Sequence, residues 1–170
     1  MRFLVLAALL VTGTVSAARA GDWTEYNVTD HLRGPIGVGA STQGELTDRF
    51  GAHPAELRIY CADNSTTALI LSKSILAVGD SATVSYTING GPVQRAAWSV
   101  CKDLQCVGLW RGAGIPFAKS LFEKVLLRTV IERKYGGDYT ADFPIAGAKE
   151  ALQATGEKCG WLPKAADKKP

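Results

Sequence analysis

From Glu56 onward the chain alternates. Leu57, Ile59 and Cys61 are apolar, while Arg58 and Tyr60 between them are charged or aromatic, the period of a strand with one buried face. Ala62-Asp63-Asn64-Ser65 is turn chemistry, and residues 67–71 return as a second strand. Residues 75–78 stay apolar until Gly79-Asp80 interrupts them. Val84, Tyr86 and Ile88 then alternate with Thr83, Ser85 and Thr87, and Asn89-Gly90-Gly91 supplies the positive-φ residues of a tight hairpin. Residues 93–100, carrying Trp98, form its partner strand, and 107–110 pair next. Residues 125–132 hold the β-branched Val125, Thr129, Val130 and Ile131, and Gly136-Gly137-Asp138 turns them into 139–143.

Helical spacing occurs twice. Pro116 suits a first helical turn, with Phe117, Leu121 and Phe122 along one face. Residues 145–155 place Ala148, Ala151, Leu152 and Thr155 on one side. These elements predict a mainly β (α+β) domain over 55–162. It has seven or eight antiparallel strands in a β-sandwich or curved sheet, with two short helices packed against it. Before residue 55 the pattern fades. Trp23 and Tyr26 can pack on a domain, but the run GPIGVGASTQG from Gly34 to Gly44 is glycine-rich and aperiodic, which predicts a loop-rich segment over 21–54.

The first 20 residues read as a leader. Met1-Arg2 is a positive start, FLVLAALLV an apolar run too short to span a bilayer, and Ala18-Arg19-Ala20 a small-x-small cleavage site. The expected location is therefore the periplasm or beyond. Two of the chain's 19 basic residues, Arg2 and Arg19, fall in this leader, so the remainder is nearly balanced against 16 acidic residues. Residues 163–170 are expected to form a disordered basic tail. A nucleic-acid or anionic-lipid partner asks for a clustered basic face, and no such run exists.

Four cysteines in an exported chain argue for disulfides, and four allow three connectivities. The Cys101-Lys-Asp-Leu-Gln-Cys106 spacing suits a bridge across the ends of a short hairpin, which leaves Cys61 with Cys159. Zinc is the competing reading, disfavoured by the oxidising compartment and the lack of a C-x-x-C pair. No cofactor is implied.

Candidate chemistry is sparse. His31 and His53 stand without a companion at metal-ligand spacing and read as surface histidines. Gly39-Ala40-Ser41 lacks the closing glycine of a nucleophile elbow, and Gly37-Val38-Gly39 with Gly44 lacks the spacing of a phosphate loop. Asp138 and Asp142 lie four apart on a predicted strand and would be the pair for a small glycoside-type hydrolase, against the simpler reading of a solvated face. Trp98, Trp110, Tyr86 and Tyr139 can form an aromatic surface that grips sugars or peptides, against cross-strand packing. Asp103 and Leu104, inside the Cys101–Cys106 loop, would form the probe of an enzyme inhibitor. Asn27-Val-Thr29 and Asn64-Ser-Thr66 match a glycosylation pattern that matters only in a eukaryotic secretory pathway.

From Leu57 on, the chain resembles the VasI-like (TagO-like) proteins associated with bacterial type VI secretion. The resemblance rests on Cys61 with Asn64, the hairpin Val84-Ser-Tyr-Thr-Ile-Asn-Gly-Gly91, Trp98-Ser99, Ile115-Pro116-Phe117 with Leu121, and Val125 to Arg128. It ends on Ala141-Asp142-Phe143, Gly147, Ala151-Leu152 and Cys159-Gly160-Trp161. It implies a small, non-enzymatic periplasmic accessory protein that binds an envelope or secretion-system component, with no catalytic residues to carry over. The Cys101/Cys106 pair and residues 21–54 depart from that pattern. The exported invasion-associated locus B proteins share the size, the leader and a Trp98-Ser99-Val100-Cys101-like strand, but the Cys-Gly-Trp ending fits them less well.

Overall fold

The computed structural model describes residues 22–133 and 137–164. The leader at 1–20 and residues 165–170 of the tail lie outside the described residues. Nine strands and three short helices follow in order: β1 (Thr24–Asp30), β2 (Gly34–Asp48), β3 (Gly51–Ala62), β4 (Ser65–Ser72), β5 (Ser81–Ile88), β6 (Gln94–Val100), β7 (Cys106–Leu109), α1 (Gly114–Ser120), β8 (Leu126–Ile131), β9 (Tyr139–Pro144), α2 (Ala148–Ala151) and α3 (Gln153–Lys158). All pairings are antiparallel, in the order β1-β2-β3-β4-β7-β6-β5-β8-β9. A further pairing of β9 with Glu45–Thr47 of β2 closes the sheet into a barrel. The expected curved sheet is thus carried to closure, and β1 stays outside the ring, paired with the first half of β2.

The alternation read from the sequence sets the two faces. On β3, Leu57, Ile59 and Cys61 are fully buried in the interior. On β4 it is Ala68 and Ile70, on β5 Val84, and on β8 Leu127 and Ile131. Phe117 of α1 packs edge-on against Trp98, with centroids 5.2 Å apart, and against Tyr86 at 5.4 Å. The predicted C-terminal helix is divided at Leu152 into α2 and α3, so three helices replace two.

The loop expected over 21–54 is overturned. Those residues form β1, all of β2 and the start of β3. Past Gly34, the glycines of β2 serve close approach rather than turning. A Cβ on Gly37 would meet the Cys61 carbonyl, and one on Gly44 the Phe143 ring. The real turn lies just before, where the Asp30 carboxylate accepts the Leu32 and Arg33 N–H groups at 2.9 Å.

Both expected disulfides are present, Cys61–Cys159 and Cys101–Cys106, with Cα separations of 5.7 and 5.2 Å. The first is half of a latch. Gly160 takes φ 72° at the end of α3, where Trp161 N–H donates to Gly156 and Gly160 N–H to Glu157, a glycine-terminated helix end. That turn aims Trp161 back at the barrel. Its indole N–H donates to Thr66 Oγ1 at 2.9 Å, and Thr66 is the residue paired with Cys61. No helix among the described residues is long and apolar enough to cross a membrane.

Candidate functional site

The sequence candidates separate cleanly once placed. Trp98 is 0% exposed and Tyr139 5%, so neither belongs to a binding surface. Trp98 fills the barrel against Phe117, and Tyr139 lies beneath the Arg133 guanidinium at 3.8 Å. Their strands alternate as expected, but these two rings fall on the inward parity. Tyr86 is half-buried, and its hydroxyl donates to Gln94 at 2.8 Å across the β5–β6 pair. Trp110 keeps a ring at the rim of a cleft.

Asp103 and Leu104 do not form a free probe. Leu104 carbonyl accepts Leu76 N–H at 2.8 Å, Gln105 carbonyl accepts Ser72 N–H at 3.0 Å, and the Asp103 carboxylate caps Gln105 N–H at 3.0 Å. The hairpin is tied down on the segment after β4. Asp138 and Asp142 do not form a reacting pair either. Asp142 is held by Arg128 through two hydrogen bonds of 2.7 and 2.6 Å, and that guanidinium keeps its carboxyl below the ordinary carboxylate value. Asp138 precedes β9 and accepts the Arg133 N–H at 3.2 Å. His31 is exposed. His53 Nε2 lies 3.9 Å from Asp48, a companion that only the β2–β3 pairing reveals. Among the described residues no group of three metal-ligating side chains converges.

The outer face of the barrel brings together residues the sequence left scattered. Register places Tyr26 opposite Gly39, Gly39 opposite Tyr60, and Tyr60 opposite Thr67. Leu109 pairs with Ala68, which sets Trp110 beside Thr67. The result is one row of three half-buried aromatics, Tyr26, Tyr60 and Trp110, crossing the strands. Glycine is required twice on its floor. A Cβ on Gly39 would lie 2.8 Å from the Tyr26 ring and 2.6 Å from the Tyr60 Cβ, and one on Gly108 would run into Leu69 and reach Trp110 at 3.4 Å.

Beside the row, Arg58 stands 5.8 Å from the Tyr26 ring and binds Glu56 at 2.8 Å. Burial raises the Glu56 carboxyl, but the Arg58 and Ser41 hydrogen bonds outweigh it and leave that carboxyl below its ordinary value. Burial pushes the Tyr26 hydroxyl up to about 12. The Tyr26 hydroxyl and Arg58 Nε are buried atoms with no hydrogen-bond partner among the described residues. Two hollows open off this face. One of ≈ 540 Å³ is lined by Trp110, Arg111, Ser65, Thr67 and Ser99, and one of ≈ 260 Å³ includes Gln43, Glu56, Arg58 and Lys73.

Sequence reasoning named Trp110 but missed its companions. Arg58 and Tyr60 were legible, because a strand that turns Leu57, Ile59 and Cys61 inward turns these two outward together. Tyr26 was not, because it fell in a segment read as loop. Fold and site together define a disulfide-stapled, mainly β chain closed as an antiparallel barrel, with an aromatic row on its outer wall. Compared with protein-family models, with curated proteins and with solved structures, the chain finds no match.

Proposed function

We propose that this chain is an exported, non-enzymatic accessory protein of the bacterial envelope that holds its partner on the outer sheet face. The observation that carries this reading is the half-buried row Tyr26, Tyr60 and Trp110, in which Tyr60 adjoins the Cys61–Cys159 bridge and Trp110 follows the strand that begins at Cys106 of the other. Half-exposed aromatics with a polar fringe are suited to recognition, and a rigid platform lowers the ordering cost of binding. The leader-like start and the paired cysteines both suit an oxidising compartment. The resemblance between Leu57 and Trp161 to the VasI-like proteins adds the secretion-associated role: an envelope or secretion-system component is the expected partner.

Expression of the full chain in a bacterial host, followed by fractionation, tests this. The expected product lacks residues 1–20 and is found in the periplasm. It associates with the envelope, and the Tyr60→Ala/Trp110→Ala variant loses that association while keeping both disulfides. A chain retained in the cytoplasm with its leader attached would sink the export reading. Envelope association indifferent to the double variant would remove the outer face from it.

A further inference from the structure

We propose that the Tyr26–Tyr60–Trp110 row binds a linear, carboxylate-bearing glycan laid across the strands. The inference rests on the outer face being the binding surface. It commits to one occupant, for three reasons.

The first is geometry. Successive aromatics are two strands apart, and strands in a sheet are spaced so that two of them span ~10 Å. The three residues lie on one line perpendicular to the strands, with Gly39 between Tyr26 and Tyr60 and Thr67 between Tyr60 and Trp110. A chain of flat, C–H-faced rings fits such a line. A peptide that recognises a sheet through its main chain fits it less well: β2, β3 and β4 are each paired on both edges along the row, and a strand added to the free edge of β1 would run along the strands beside Tyr26 and not across them to Tyr60 and Trp110.

The second is the polar fringe. Ser65, Thr67 and Ser99 share the hollow with Trp110 and carry hydroxyls that can donate to or accept from ligand hydroxyls.

The third is charge. Glu56 is the acidic side chain of the strip, and Arg58 neutralises it at 2.8 Å. Arg111, at the Trp110 end, is exposed and has no ion-pair partner among the described residues. Its backbone has φ 54°, a left-handed conformation that a non-glycine residue adopts at a cost and that recurs at ligand sites. An unpaired guanidinium at the end of an aromatic ladder asks for a carboxylate.

The test is calorimetric titration of the disulfide-bonded chain with tetragalacturonic acid, with its methyl ester and with an acidic peptide or oligothymidylate as comparators. The acid is expected to bind more tightly than the ester. Trp110→Ala should weaken both by about tenfold, the loss of one stacked ring, while Trp110→Tyr restores most of it. Arg111→Gln should abolish the preference for the acid and leave ester binding intact. Circular dichroism of each variant guards against misfolding. Binding of neither glycan by the folded chain overturns the inference, as does binding that Trp110→Ala leaves unchanged or a preference for the peptide or oligonucleotide. If the glycans fail while envelope association still depends on Tyr60 and Trp110, the glycan is wrong and the binding face stands.

Discussion

The Cys61–Cys159 bridge should dominate the stability of this barrel, and the two disulfides allow an internal comparison. They close loops of very different length, with sequence separations of 98 and 5. When a bridge acts by restricting the unfolded chain, the longer loop gives about 4.7 kcal/mol and the shorter one about 2 kcal/mol. Alanine is the right replacement. Cys61 is fully buried, and a serine hydroxyl there would add the cost of an unpaired polar group. Against a total stability of about 5–15 kcal/mol, Cys61→Ala/Cys159→Ala should remove a third or more. At roughly 2–4 °C per kcal/mol, the melting temperature should fall by ~10–20 °C, and for Cys101→Ala/Cys106→Ala by less than half of that. Scanning calorimetry of both variants under non-reducing conditions measures the two shifts. In the long-bridge variant the Trp161–Thr66 hydrogen bond is the part of the latch that the substitutions leave in place. Equal shifts, or a larger loss from the short bridge, would refute the loop-length argument for this fold.

Three further outcomes follow from the packing. Trp98→Ala empties the site beside Phe117 and should cost ~3–5 kcal/mol in chemical denaturation, whereas a surface role for Trp98 predicts almost none. Gly37→Ala drives a methyl group into the Cys61 carbonyl and should cost about 3 kcal/mol or more, with faster amide exchange along β2 and β3; wild-type exchange there would mean that the close approach is relaxed in solution. Asp142 is held below its ordinary value by Arg128, so its contribution is present above the unfolded carboxylate pKa of about 3.9 and is lost as pH falls through the lower folded value. Asp142→Asn should therefore lower the urea midpoint at neutral pH, with the gap to wild type closing as the pH falls below the unfolded carboxylate value of about 3.9; a gap that persists in strong acid would assign the effect to packing instead.

Much of the strand content was legible because the cue is local. Alternation at Leu57, Ile59 and Cys61, or at Val84, Tyr86 and Ile88, depends only on neighbours in sequence. The latch was legible too, since Cys159-Gly160-Trp161 contains the glycine that a helix end needs and two side chains able to anchor it. Residues 34–44 were misread for a physical reason. Glycine signals a turn when its φ is positive and signals crowding when a neighbouring backbone or ring displaces its Cβ, and the sequence does not distinguish the two. Gly34, with φ 75°, belongs to the first kind, and Gly37, Gly39 and Gly44 to the second. Barrel closure was hidden likewise, because it depends on β9 meeting Glu45–Thr47 of a strand nearly a hundred residues earlier. The aromatic row was missed for the same cause: Tyr26, Tyr60 and Trp110 are neighbours only through register.

Register also connects the latch to the outer row. β3 carries Cys61 inward and Tyr60 outward on consecutive residues, and Arg58 follows on the outer side two residues earlier. Because the side-chain period of a strand is two, a slip of one residue would turn Tyr60 and Arg58 into the core and expose Leu57 and Ile59. Thr66 is paired with Cys61, and both are tied to the C-terminal turn, one by Trp161 and the other by Cys159. That double attachment fixes the β3–β4 register within one residue of Tyr60 and Thr67, the centre of the row. Reducing the long bridge should therefore loosen the outer face before it unfolds the barrel, and the Tyr60 ring should lose order ahead of Trp98 in a stepwise reduction followed by NMR. Simultaneous loss of both signals would mean that the latch stabilises the whole barrel without any particular hold on the row.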